Sequence, residues 1–181
     1  ARQALAGRVP LIGFAGAPFT LASYAIEGGS SRDYMRTKDM MFTRPDLWHT
    51  LLTKLSDAVI EYLGVQIRAG AQAIQLFDSW VGCLSPDDYE EYVLPHTQKI
   101  FSALESEGIP KIYFGTGTAT LLPLMRKVGC EVMGLDWRVR LDEAWATIGY
   151  DLAVQGNLDP LVLAAPLPEI KRRVQRILAQ A

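Results

Sequence analysis

Residues able to do chemistry gather at the ends of short apolar runs. Ala73 to Phe77 ends in Asp78-Ser79, Lys111 to Phe114 runs into Gly115-Thr116-Gly117-Thr118, and Glu131 to Leu135 ends in Asp136-Trp137-Arg138. Leu152 to Gln155 ends in Gly156-Asn157-Leu158-Asp159-Pro160. Carboxylates at such positions can orient or exchange protons, while hydroxyl and amide groups can hold an anionic ligand without adding charge. In parallel α/β proteins the C-terminal ends of strands face the ligand. Asp78 and Ser79 suit a turn cap equally well, so this stretch alone leaves both readings open.

The other candidates are weaker. Gly115-Thr116-Gly117 is half of a dinucleotide fingerprint, but Thr120 stands where the third glycine belongs. The turn better fits backbone amides holding a carboxylate near a helix N-terminus. His96 has no Ser, Cys or acid at helical spacing to complete a triad and reads as structural. His49, in the first turn of a helix, reads as a surface residue. Cys83 and Cys130 lack both a CxxC motif and paired histidines, so neither a disulfide framework nor a zinc site is indicated. That usage fits a reducing cytosol.

The elements that must position these groups alternate. Val9 to Ala15 is a first strand broken by Gly16-Ala17-Pro18, and Phe19 to Ile26 follows as a helix or turn bearing Tyr24. Glu27-Gly28-Gly29-Ser30-Ser31 is a loop, because paired glycines resist both helix and strand. Arg32, Arg36 and Lys38 then form either a solvated face or a cationic rim. Thr43-Arg44-Pro45-Asp46 predicts a helix start capped by Thr43. Leu47, Leu51, Leu55, Val59 and Leu63 form its apolar face, and Gly70 ends it. Ser85 caps a helix that Pro95 should kink or split before Gly108 ends it. Leu121 to Val128 and Asp142 to Ile148 are further helices. Glu169 to Ala179 is an amphipathic one, with its cations on the solvated side. Repeated strand and helix order predicts a parallel sheet with right-handed crossovers. Polar strand ends on so many successive units suit part of a barrel better than the single crevice of an open sheet.

The 181 residues, 49% of them hydrophobic, suffice for one buried core. A net charge of -2 excludes a generally basic surface for nucleic acid. No apolar stretch reaches membrane-spanning length, and no basic-then-apolar signal opens the chain. The chain does not begin with Met, which leaves an upstream targeting segment open.

GFAGAPFTLASYAIEGGSS (Gly13 to Ser31), AIQLFDSWVGCLSP (Ala73 to Pro86), IYFGTG (Ile112 to Gly117), GLDW (Gly134 to Trp137) and QGNLDP (Gln155 to Pro160) together resemble the uroporphyrinogen decarboxylase family, in the family's order and across nearly the whole chain. The resemblance implies a (β/α)8 TIM barrel, cytoplasmic and homodimeric. It implies removal of the four acetate carboxyls of uroporphyrinogen III to give coproporphyrinogen III, in haem and other tetrapyrrole biosynthesis, without metal or organic cofactor. Carried over by position, Tyr24 and Ser79 match substrate-binding residues, Phe14 an aromatic lining the cleft, and Gly28 to Ser31 a loop near the site. Phe14, Asp78, Phe114, Asn157 and Asp159 are secondary cleft candidates, each equally able to fix a strand end.

The family's arginine-rich segment and its aspartate precede the matched region, and its histidine follows it. The expectation is therefore a partial TIM barrel of about five parallel strands with flanking helices, residues 1–181 forming part of one domain truncated at both ends. No catalytic residue is assigned, and the chain alone is expected to be inactive. Two alternatives compete. The corrinoid methyltransferases of the same superfamily hold zinc with His and Cys, whereas Ile112 to Thr116 offers Tyr113, Phe114 and Gly115 there. The other is a porphyrin-binding protein without turnover.

Overall fold

Each apolar run that ends in polar residues becomes a strand, and each is followed by helix. The computed structural model describes residues 1–29 and 31–181; of the glycine loop, Ser30 lies outside the described residues. In chain order the elements are α1 (Arg2–Leu5), β1 (Ile12–Gly16), α2 (Pro18–Glu27), α3 (Met35–Thr43), α4 (Pro45–Arg68), β2 (Ala73–Asp78), α5 (Pro86–Tyr92), α6 (Leu94–Ala103) and β3 (Lys111–Gly115). They continue as α7 (Leu122–Met125), β4 (Val132–Gly134), α8 (Leu141–Ile148), β5 (Ala153–Gln155) and α9 (Leu167–Leu178). The strands form one parallel sheet in the order β1-β2-β3-β4-β5. Sequential parallel neighbours joined by helices are the repeating unit of a (β/α)8 barrel, and the sheet is an open arc of one.

Alternation along β2 decides where the core lies. Ile74, Leu76 and Asp78 are buried beneath helices, whereas Ala73, Gln75 and Phe77 face the side that helices leave uncovered. The helix-covered side packs Leu76, Tyr113 and Met133 with Phe19, Trp48, Leu52, Tyr89 and Phe101. Trp48 also donates its indole N–H to the Tyr92 carbonyl at 2.9 Å, tying α4 to the end of α5.

Several local expectations change. Thr43 does not cap α4: it closes α3 and donates its hydroxyl to the Asp39 carbonyl at 2.7 Å, leaving Arg44 at the cap. Of the face expected for α4, Val59 and Leu63 are buried and Leu51 and Leu55 pack against the core, but Leu47 is 41% exposed and Trp48, Leu52, Ser56 and Gly64 are buried as well. The first strand starts at Ile12, because Pro10 cannot donate to a ladder. The long helix after β2 is split as expected, with Val93 between α5 and α6 and Pro95 in the first turn of α6. Ser85 caps α5, accepting the Asp88 N–H at 3.1 Å and donating to the Asp88 carboxylate at 2.8 Å. The helix expected over Leu121 to Val128 is one α-turn followed by a 3-10 turn, Arg126–Val128. Cys83 and Cys130 are free.

Candidate functional site

The uncovered face of the arc carries a row of aromatic rings. Phe77 is paired in register with Gly16 and Phe114, and Phe114 with Gly134, so these positions project to one side. Phe14 meets Phe77 edge to face at 5.9 Å and 87°, and Phe77 meets Phe114 at 5.8 Å and 72°. Phe14 is 60% exposed. Gly134 makes room for the row, since a Cβ there would lie 2.9 Å from the Phe114 side chain. Phe14 and Phe114, the cleft candidates of the resemblance, thus lie on one wall. Phe77 joins them, and its strand parity was the signal that could have singled it out.

At the C-terminal rim of this wall stand Ser79 and, against the residue that follows it, Tyr24. Ser79 follows β2, half-buried, and its carbonyl accepts the Thr116 hydroxyl. The ring of Trp80, the next residue, lies 3.8 Å from that of Tyr24, centre to centre. Tyr24 projects from the last turn of α2 and is 51% exposed. Trp80 also packs against Tyr34 at 5.3 Å, and Tyr34 against Phe19 at 6.4 Å. Burial, reinforced by Cys83, Tyr24 and Glu27, pushes the Tyr34 phenol up to about 12 and keeps it neutral. Trp80 and Tyr34 were not singled out from the sequence, because Tyr34 lies 46 residues upstream of its partner.

The carboxylates belong mostly to the scaffold. Asp78, expected as a secondary cleft residue, is fully buried on the helix side of β2. It accepts hydrogen bonds from the Thr20 hydroxyl at 2.8 Å and the Tyr113 hydroxyl at 2.9 Å, and Tyr113 lies 3.2 Å from the Tyr89 hydroxyl. Burial raises its carboxyl to about 6 against the pull of these donors. Asp78 therefore fixes the strand end, because a sixth strand residue falls on the same side as Ile74 and Leu76. The amide of Gly117 does hold a carboxylate, that of Asp136, at 2.6 Å. Asp136 also accepts the Arg138 N–H at 3.0 Å and its guanidinium, which lies over the Trp137 ring at 4.1 Å. Asn157 is buried and donates to the Asp136 and Val139 carbonyls at 3.1 and 2.6 Å, locking the ends of β4 and β5 together. Asp159 accepts the Leu161 N–H at 3.0 Å and caps the turn Pro160–Ala164.

Away from this rim, His49 Nδ1 and His96 Nε2 lie 2.9 Å apart between α4 and α6. Both rings serve a helix contact: His96 is 7% exposed, as a structural residue should be, and His49 is half-buried rather than at the surface. Among the described residues no cluster of three His, Cys, Asp or Glu side chains could hold a metal ion. No described helix is long and apolar enough to cross a membrane.

A parallel β/α arc whose strand ends carry hydroxyls beside an aromatic wall defines a barrel-type α/β protein with its ligand face at the strand C-termini. Within that class the chain belongs to the uroporphyrinogen decarboxylase family, whose model matches residues 1–181. It is 54% identical over 180 residues to a uroporphyrinogen decarboxylase of Carboxydothermus hydrogenoformans, covering 99% of this chain and 51% of the relative. It is 56% identical over 175 residues to one of Koribacter versatilis (96% and 50%) and 54% identical over 180 residues to one of Sorangium cellulosum (99% and 52%). The chain spans about half the length of the curated relatives it matches.

Proposed function

We propose that this chain forms the central arc of a uroporphyrinogen decarboxylase, and that residues 1–181 are part of one barrel domain that further strands complete. The protein so completed removes the four acetate carboxyls of uroporphyrinogen III to give coproporphyrinogen III. The observation that carries this reading is the pairing of an aromatic wall, Phe14, Phe77 and Phe114, with the hydroxyls of Tyr24 and Ser79 at its rim. The substrate has the same division: pyrrole rings in the middle, carboxylate arms outside. Ring faces suit the pyrroles and tolerate positive charge, and hydroxyls can bond carboxylates without trapping them in a strong ion pair.

The chemistry needs little more from the protein. Protonation of a pyrrole carbon makes a cationic electron sink, so the bond to the departing carboxyl breaks without an organic cofactor. The protein positions the reacting arm and stabilises the developing cation. In this reading Tyr24 and Ser79 bind substrate, Phe14 and Phe114 line the cleft, and Asn157 and Asp159 hold the loops that border it. The acid is not assigned among these residues. The active form is a cytoplasmic homodimer without a nucleic-acid partner; the net charge of -2 supports the last point.

The test is decarboxylation of uroporphyrinogen III by the natural gene product carrying these residues, with products separated by chromatography after oxidation. Stepwise loss of four carboxyls is expected, with Tyr24→Phe raising KM about tenfold, the order of one lost hydrogen bond to a charged group. The isolated 181-residue chain is expected to bind the tetrapyrrole without turnover. Turnover by that chain alone would overturn the division of labour, and no turnover by the natural product would overturn the function.

A further inference from the structure

We propose that Trp80 is a positioning residue that sets the orientation of the Tyr24 ring, and with it the affinity of the rim for a carboxylate-bearing tetrapyrrole. The proposal deepens the reading above and rests on Tyr24 being a substrate ligand. Three observations lead to it.

The first is what Tyr24 lacks. It sits in the last turn of α2, half exposed, and no hydrogen bond to its hydroxyl is found among the described residues. Past it the backbone turns at Gly28 with φ of 78° and continues into Gly29. The orientation of the ring is therefore set by what packs against it. Fixing that orientation before the ligand arrives is a direct route to tighter binding.

The second is what Trp80 supplies. Its ring centre lies 3.8 Å from that of Tyr24 with the planes tilted by 46°, the nearest aromatic approach described in the chain. That is closer than the roughly 4.5–7 Å of ordinary aromatic pairs, so the phenol cannot turn without meeting the indole.

The third is that Trp80 is itself clamped. Its preceding carbonyl, on Ser79, accepts the Thr116 hydroxyl, and the Cys83 carbonyl three residues on accepts the Lys38 ammonium at 2.8 Å. Between them Gly82 lies so close to the next βα turn that a Cβ would fall 2.2 Å from the Thr116 carbonyl oxygen. Trp80 also packs against Tyr34, which is 7% exposed, has φ of 51°, and has its N–H held by the Ser31 hydroxyl at 3.0 Å. An indole on a tethered turn thus stands against a phenol held by packing alone. The indole directs the phenol, not the reverse.

Uroporphyrin III, the oxidised and fluorescent form of the expected substrate, is the probe, titrated into the natural gene product by porphyrin emission. The variants are Trp80→Leu, Trp80→Phe, Tyr24→Phe and the double variant Trp80→Leu/Tyr24→Phe. Trp80→Leu is expected to weaken binding threefold to tenfold, the range of a lost aromatic pair. Trp80→Phe is expected to recover at least half of that factor. The double variant is expected to bind no more weakly than Tyr24→Phe alone, since a residue acting through Tyr24 has nothing left to position. Additive losses, or a Trp80→Leu variant that binds like wild type, would overturn the positioning role while leaving Tyr24 as a ligand. If Tyr24→Phe binds like wild type, the ligand assignment falls and takes the proposal with it. Should Trp80→Leu fail to fold, Trp80→His carries the same cycle, with circular dichroism confirming its fold.

Discussion

At the scale of single residues, two buried titratable groups act in opposite directions on stability. Asp78 moves from 3.8 to about 6 on folding because burial penalises its charge. Between these values the folded state holds more protons than the unfolded one, so stability falls as pH rises. The contribution is full below 3.8 and gone above about 6, a change of about 3 kcal/mol for a shift of this size. His96 is lowered from 6.5 to about 4 by burial, then by His49 and by Lys99, whose charge is shared with Asp57 at 2.5 Å. In its window the unfolded state holds more protons, and stability falls as pH falls. The wild-type profile between pH 4 and 6 is thus a near-cancellation. Asp78→Asn keeps the shape, lets the side-chain amide donate to one hydroxyl while its carbonyl accepts the other, and removes the falling slope. Urea midpoints from pH 4 to 7.5 should rise more steeply with pH in Asp78→Asn, by about 3 kcal/mol across the window. In His96→Gln they should fall instead. An Asp78→Asn profile parallel to wild type would mean that another group titrates there.

At the scale of elements, the βα turns after β2 and β3 interlock, through the Thr116 hydroxyl on the Ser79 carbonyl and through the close approach of Gly82. A methyl group at 82 would stand 2.2 and 2.7 Å from the carbonyl oxygens of Thr116 and Gly117, neither of which is a flexible side-chain end. Gly82→Ala should therefore separate the turns and cost about 1–3 kcal/mol, as overpacking does. It should also weaken tetrapyrrole binding through the displaced Ser79 and Trp80. A thermal melt beside a binding titration checks both; loss of stability with unchanged binding would mean that the turns do not transmit to the rim. Elements of this kind were legible in the sequence wherever the signal is local. Polar residues after apolar runs marked the ends of β2, β3, β4 and β5, Gly16-Ala17-Pro18 marked that of β1, Ser85 marked a cap, and Pro95 marked a break. The face of α4 was read in part: Val59 and Leu63 are buried and Leu51 and Leu55 pack against the core, but a row of every fourth residue turns about 40° per step on an ideal helix, which leaves Leu47 exposed. The buried row Trp48, Leu52, Ser56, Val59 and Leu63 inserts one step of three and stays in line. Contacts that join distant segments leave no local mark. Trp80 on Tyr24, Gly117 on Asp136 and His49 on His96 each needed the fold.

At the scale of the whole molecule, the arc has two outer strands and one uncovered face, and each presents a different hazard. At the β1 edge the Phe14 backbone is met by one side chain: its N–H donates to Gln66 Oε1 at 2.8 Å, and its carbonyl accepts from Gln66 Nε2 at 2.9 Å. The glutamine amide thereby stands in for a neighbouring strand and blunts an edge that could otherwise pair with another chain. Among the described residues no such plug covers the uncovered face, and Phe14 remains 60% exposed on it. The α9 helix, which buries no residue fully, adds Leu167 and Leu178 at 61% and 67% exposure. The isolated chain should therefore self-associate with rising concentration. Light scattering on a sizing column from about 1 to 100 μM, a range suited to association through unpaired edges or apolar surface, would detect it. Two perturbations separate the causes. Gln66→Ala exposes the edge and should lower the concentration of onset if strands pair, whereas uroporphyrin III should raise it if aromatic faces meet, because the ligand claims that face. We expect the ligand effect to be the larger, since two backbone groups at one edge are few beside a wall of three rings. Association that responds to Gln66→Ala and not to uroporphyrin III would place the tetrapyrrole away from the aromatic wall. Phe14, Phe77 and Phe114 would then be a seam for completing the barrel rather than the floor of its cleft.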